Sequence, residues 1–247
     1  MRNILIIIEY DGTGYHGWQM QKNAGSVQAV LEKALSTILR ETVKTMASGR
    51  TDTGVHAVNQ PVTFKTNSKM ETRRIFRALN GILPDDIVIK SVKEVAADFD
   101  ARRSARSKIY RYVILNSNAP SALYRHRAWH VRENLDTDLM LEGAKMLIGE
   151  HDFSSFRGSG CTSRHPLRRM LDVKINVVGE NKEYIYFEIE GEAFLKHMVR
   201  NIVGTLVALG MGRINLSRLK DILEAKDRRE GGVTAPPHGL YLVNVKY

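Results

Sequence analysis

The chain is poor in cysteine and in apolar runs of membrane length, and each shortage removes a class of protein. Cys161 is the only cysteine among 247 residues. No intrachain disulfide and no cysteine-rich zinc site can form from it. His165 is close to it only in sequence, so Cys161 reads as a structural thiol. The apolar run near the start, "ILIII" (Ile4–Ile8), is closed by Glu9, Tyr10 and Asp11. It is too short for a membrane span or for the apolar core of a signal peptide. It reads as a buried strand of a cytoplasmic protein. There is no GxxxxGK[ST] phosphate loop, and "GTGYHG" (Gly12–Gly17) lacks the GxGxxG spacing of a dinucleotide site. No fixed-period repeat and no low-complexity stretch is visible.

What remains is a globular composition, 43% hydrophobic and 26% charged, long enough for one large domain or two fused lobes. The formal net charge is +10. Its distribution says more than its size. "RRSARSKIYRY" (Arg102–Tyr112) interleaves cations, among them Arg103, Arg106 and Lys108, with two tyrosines. "YRHRAWH" (Tyr124–His130) repeats the pattern with a tryptophan, and "RRIFR" (Arg73–Arg77) and "RHPLRR" (Arg164–Arg169, including Arg168) add charge. Any one cluster reads as a solvated face. Four together point to nucleic acid, because cations neutralise phosphates and aromatic rings stack on unpaired bases. The interleaving favours RNA or single strands over duplex DNA.

Periodicity predicts strands over 4–10, 43–48 and 62–65, over "DIVIKSVKEV" and "KIYRYVILN", over "MLDVKINVV" and "EYIYFEIEG" as a pair, and over "LYLVNVKY". Helices are predicted from Ser26, a good N-cap, to about Arg40, and over Thr72–Leu79, Asp136–Ile148, Ala193–Leu209 and Leu216–Glu224. Pro120–Arg132 reads as a loop between two lobes. Strands joined by short turns make antiparallel pairs, so the fold class is mixed α/β (α+β), with helices over a largely antiparallel sheet.

"ASGRTDTGVHAVNQ" (Ala47–Gln60) sets Asp52 in a glycine-flanked turn beside Arg50. Only His56 is near enough in sequence to share a metal with it, and Gly49 and Gly54 argue against a helix, so no metal site is expected. Nucleophile, general base and structural turn residue all remain open. Spacing alone favours structure, since Asp commonly caps such a turn. Tyr110 alternates in phase with Tyr112 and reads as strand packing. On the predicted helix Arg200 lies off the apolar stripe, but its face is otherwise small or apolar. A helix buried nearly all round would oblige that charge to find a partner. Trp18 and His16 suit either RNA contact or core packing.

"GRTDTGVHA" resembles the signature of the pseudouridine synthases that act on tRNA anticodon arms, the tRNA pseudouridine synthase A family. "EYDGTGYHGWQMQ", "SARSKIYRYVI", "DFSSFR", "FLKHMVRNIVGTL" and "APPHGLYLVNV" resemble further segments of that family, in its order and across nearly the whole chain. The resemblance implies two similar lobes, about 1–105 and 106–247, with the active cleft between them. It implies that Asp52 is the catalytic nucleophile and that Arg50 helps displace the target base and hold the flipped nucleotide. Tyr110 would stack on the uracil, Arg200 would pair with the catalytic carboxylate, and Leu240 would line the base pocket. Arg102, Arg103, Arg106, Lys108, Arg164 and Arg168 are candidate RNA contacts. The substrate would be uridine at positions 38 to 40 of tRNA, no cofactor would be needed, and the enzyme would be a homodimer. A non-catalytic RNA-binding protein and a metal-dependent nuclease are the rivals.

Overall fold

The computed structural model describes residues 1–21 and 24–247. They divide into two compact units, Met1–Arg106 with Tyr241–Tyr247, and Ser107–Leu240.

The first unit is built on β1 (Arg2–Tyr10). Branched side chains stiffen its backbone and suit a pleated surface. Ile4, Ile6 and Ile8 are fully buried, as a central strand requires. β3 (His56–Thr66) and β4 (Ile87–Val95) flank it, both antiparallel, and β2 (Thr45–Ala47) pairs with β3. Ser26 opens α1 (Val27–Leu39) as expected, its hydroxyl accepting the Ala29 N–H. That satisfies one of the donors that the first turn leaves open. α1 buries Val27, Leu31, Ala34, Leu35 and Leu39 along one stripe. α2 (Thr72–Ile82) packs on α1 and β4. The Asn80 side chain ties it down, exchanging hydrogen bonds of 2.9 and 2.8 Å with the backbone of Ile89.

The second unit carries a sheet ordered β5 (Ser107–Asn116), β9 (Tyr184–Gly191), β8 (Leu167–Val178), β7 (Gly149–Asp152), antiparallel throughout. β6 (Trp129–Val131) adds to β5 in parallel. α3 (Thr137–Lys145), capped by Asp136, packs on α4 (Met198–Gly210). Gly143 lets it approach closely, since a Cβ there would sit 2.4 Å from a Leu209 methyl. α5 (Leu216–Ala225) follows. As its composition predicts, α4 is buried nearly all round; only Arg200 and Ala208 of its residues fall outside the buried class. Each unit is thus a mostly antiparallel sheet with helices, and the mixed α/β class holds.

Four expectations need correction. The chain's last strand, β10 (Leu240–Lys246), does not stay with the second half. It pairs in parallel with β3, Tyr241 opposite His56 and Leu242 opposite Ala57, so residues 241–247 belong to the first unit. Pro120–Arg132 is no link between lobes. It lies inside the second unit and contains β6, too short for periodicity to reveal. α4 starts at Met198 rather than Ala193 because His197 takes a left-handed conformation (φ 60°), which ends any continuous helix upstream. β3 begins six residues earlier than its pattern suggested. Its polar residues are satisfied within the unit: Asn59 donates to the Val243 carbonyl at 3.0 Å, and Gln60 is fully buried with its amide bonded.

Candidate active site

The Asp52 turn precedes β3, and the segment that follows β1 grips it. Val55 N–H closes the turn on the Asp52 carbonyl at 3.1 Å, with Gly54 at φ 76°. Trp18 N–H donates to the Thr51 carbonyl (3.1 Å), and Gly54 N–H donates to the Tyr15 carbonyl (3.3 Å). Two glycines permit this approach. A Cβ on Gly12 would overlap the Val55 carbonyl, and one on Gly17 would lie 2.5 Å from the Thr51 carbonyl oxygen. The motifs "GTGYHGW" and "GRTDTGVH", far apart in sequence, are two halves of one structure.

Beneath the turn runs a buried hydrogen-bond chain. The Tyr10 hydroxyl donates to Gln60 Oε1 at 2.7 Å and meets Thr51 Oγ1 at 2.8 Å. Tyr10 has one proton, and the Gln60 oxygen can only accept, so the Thr51 hydroxyl donates to Tyr10. Gln60 Nε2 then donates to the Gly49 carbonyl at 3.3 Å. Residues 49 and 51 are therefore fixed on either side of Arg50. His56 is buried at 3% exposure, stacks on Tyr241 (4.7 Å), accepts the Gly12 N–H at Nδ1 (3.0 Å) and lies 3.1 Å from the Asp11 carboxylate. On this frame Asp52 is half-buried and Arg50 is exposed. Trp18 is core, 2% exposed with its ring 6.2 Å from Tyr10, whereas His16 is exposed.

In the second unit Tyr110 is buried on β5, its ring edge-on to Phe194 at 5.1 Å and 85°. Tyr112, on the same face of the strand, donates to the Pro236 carbonyl at 2.7 Å. Burial raises its phenol well above the ordinary value, and the nearby positive charge of Arg200 partly offsets that. Arg200 is half-buried in the first turn of α4. It forms a reciprocal clamp with Ala235: Nε donates to the Ala235 carbonyl (2.7 Å), and Ala235 N–H donates to the Arg200 carbonyl (3.1 Å). The same segment continues through a tight turn at Pro237–Gly239 to Leu240, which is 5% exposed. Gly239 lies so close to Tyr112 that a Cβ would come within 2.7 Å of the ring. Tyr112 thus links Arg200 to the stretch that ends at Leu240, a role that alternation along β5 could not reveal.

The candidate RNA-contacting cations differ. Arg102 and Arg103 are exposed on a turn whose backbone N–H groups both donate to the Asp100 carboxylate at 2.8 Å. Arg106 and Arg164 are exposed, and Lys108 is half-buried. Arg168 is engaged with its own loop, donating to the carbonyls of His165 and Leu167 and to the Ser163 hydroxyl. Burial lowers its basicity. Arg157 likewise holds the carbonyls of Cys161 and Ser163 at 2.8 and 2.7 Å. Burial alone would raise the Cys161 thiol, yet hydrogen bonds from the backbone at Lys196 and Ser163, with Arg157, bring it below the ordinary value. No helix among the described residues is long and apolar enough to cross a membrane.

Comparison with known proteins identifies the class to which the chain belongs. The family described as "tRNA pseudouridine synthase" matches residues 6–102 and 144–247, and the chain belongs to that family. Pseudouridine synthases are isomerases. The chain is similar to the protein named tRNA pseudouridine synthase A from Thermoanaerobacter sp. (strain X514), at 47% identity over all of both chains. It is 48% identical to the one from Acetivibrio thermocellus, again over all of both, and 44% identical to the one from Aliivibrio salmonicida over 99% of this chain and 92% of that one.

Proposed function

We propose that the chain converts uridine to pseudouridine at positions 38 to 40 in the anticodon arm of tRNA, with Asp52 as the nucleophile. The observation that carries this reading is the turn itself. A single carboxylate stands half-buried on a loop whose backbone is bonded on both sides to residues 10–18 and to Gln60. An ordinary surface turn needs no such support, whereas a nucleophile does, since small misplacements of a reacting group cost much of the rate.

The reaction breaks the N1–C1′ bond of uridine, turns the uracil and joins C5 to C1′. Atoms and electrons balance within the nucleoside, so no cofactor or co-reactant is called for. The base must first leave the stack. Arg50, exposed beside the nucleophile, displaces the target base and holds the flipped nucleotide. Tyr110 stacks on the uracil and Leu240 lines its pocket, keeping the detached base close while it turns. Arg200 pairs with the Asp52 carboxylate and favours its ionised form. That form is needed whether the carboxylate attacks C1′, adds to C6 or takes the 2′ proton. The enzyme acts in the cytoplasm as a homodimer whose two subunits together hold the tRNA.

Asp52→Asn keeps the shape and removes the nucleophile. Binding of an unmodified tRNA transcript is expected to persist, while tritium release from 5-tritiated uridine falls by at least ~10³-fold. Release at a near wild-type rate would remove Asp52 from the chemistry. A wild-type protein that binds tRNA and forms no pseudouridine would make it a binding module.

A further inference from the structure

One basic and aromatic cluster has no part in the proposed mechanism, yet it lines a cavity. Residues 120–132 contain Arg125, Arg127 and Arg132 and no acidic residue. They fold over the end of β5 and, with Leu115 and His238, line a cavity of about 310 Å³. Leu115 and Ala128, both buried, form its apolar floor. Trp129, Tyr124, Arg125 and His130 form its walls. The walls are set in place. Trp129 lies in β6 opposite Ile114, with its ring edge-on to Tyr112. Tyr124 rests against Tyr184 at 5.0 Å. His130 Nε2 is 2.7 Å from the Ser117 carbonyl, and Arg125 donates to the Ala122 carbonyl at 2.6 Å. Of the lining residues Tyr124 is 39% exposed.

We propose that this cavity takes up one unpaired nucleotide of the RNA substrate, other than the nucleotide that reacts. Its volume lies at the lower end of the range for small-molecule sites, roughly 300–1,000 Å³, a scale that suits one nucleotide. The apolar floor and two aromatic walls suit a base, which presents a π-face whatever its identity. The acid-free, arginine-bearing rim suits the phosphate attached to it. A bare phosphate would leave the aromatic walls unused, and an apolar ligand would leave the cationic rim unmatched. Sequence-tolerant capture of an unstacked base is a usual way for proteins to hold single-stranded RNA. His238 lines this cavity and stands two residues before Leu240, so a nucleotide bound here would touch the segment that leads to the proposed uracil site. The inference rests on the proposed tRNA reaction for its choice of ligand.

The test uses the full chain and an unmodified tRNA transcript, with affinity measured across a salt series and pseudouridine formation measured in parallel. Tyr124→Ala is expected to weaken binding roughly five- to tenfold with little change in salt dependence, as loss of stacking on one base does. Tyr124→Phe keeps the ring and should bind like wild type. Arg125→Ala should lower the slope of log affinity against log salt by about one, as loss of one phosphate contact does. Both side chains are exposed, and circular dichroism should confirm an unchanged fold. Wild-type affinity in both alanine variants, or a Phe variant as weak as the Ala variant, would overturn the proposal. If wild type binds tRNA without forming pseudouridine, the reaction is wrongly assigned, and the affinities still decide whether the cavity holds a nucleotide.

Discussion

Two polar loops look alike in the sequence, Ala47–Gln60 in the first unit and His151–Pro166 in the second. Both carry two glycines and several hydroxyls, with one arginine in the first and two in the second. They differ in what their own arginines do. The Asp52 turn is fixed by residues distant in sequence, through Tyr10, Gln60 and backbone bonds to Tyr15 and Trp18. Its own arginine, Arg50, is left exposed. The second loop is also met from a distance, by Asn201, Lys196 and Asp227, but its arginines join in: Arg157 and Arg168, within or next to it, bond its carbonyls and the Ser163 hydroxyl. A half-buried arginine whose guanidinium bonds several groups of its own loop serves that loop. An exposed one keeps most of its five donors for a ligand. Counting cations along the sequence does not separate these cases.

The most severe way to break the first loop is to fill the space through which it is gripped. A Cβ on Gly12 would overlap the Val55 carbonyl, whereas one on Gly14 would meet nothing within 4 Å. Gly12→Ala should therefore destabilise the protein by about 3 kcal/mol, since backbone must move to accept the new atom. Gly14→Ala should change stability by no more than about 0.5 kcal/mol. Urea denaturation reads both. Equal small effects would mean that the contact between the two motifs yields easily and does not define the turn.

A gentler break leaves the packing alone. Tyr10→Phe removes one hydroxyl and with it the bonds to Thr51 and Gln60. Leaving buried groups short of a partner should cost about 1–3 kcal/mol. If this hydrogen-bond chain positions Asp52 for the proposed chemistry, turnover should also fall by roughly tenfold with KM for tRNA unchanged, because orientation and not binding is lost. A loss of stability with wild-type turnover would reduce the network to scaffolding.

How much of this was legible in the sequence depends on how local its cause is. β1, α1 with its Ser26 cap and the β8–β9 pair follow from residues within one element. The near-complete burial of α4 was readable from the small and apolar residues opposite its stripe. Its start was not, since the left-handed His197 is neither glycine nor asparagine and carries no breaker signal. The grip of residues 10–18 on the Asp52 turn depends on the register of β1 against β3, which sets Tyr10 opposite Ala57. That is a long-range fact which no spacing rule encodes. The early start of β3 was hidden by Asn59, Gln60 and Pro61, polar or strand-breaking types that the fold accommodates. The catalytic proposal for Asp52 came from the ordered resemblance, and the turn's support then supplied a physical reason for it.

The smallest expected effect sharpens the contrast between the arginines. Arg103 is exposed on its turn, and Arg168 is half-buried and bonded to its loop. Arg103→Ala should lower the salt slope of tRNA binding by about one, the signature of one lost phosphate contact. Its effect on stability should be negligible, within about 0.5 kcal/mol, because no packing is removed. Arg168→Ala should do the reverse. The salt slope should hold, while the freed carbonyls of His165 and Leu167 lower the melting temperature by about 2–4 °C for each kcal/mol lost. The two variants differ by the same side chain removed from the same kind of basic cluster. An unchanged slope in the first and a reduced slope in the second would show that burial and loop bonding do not decide which cations meet the RNA.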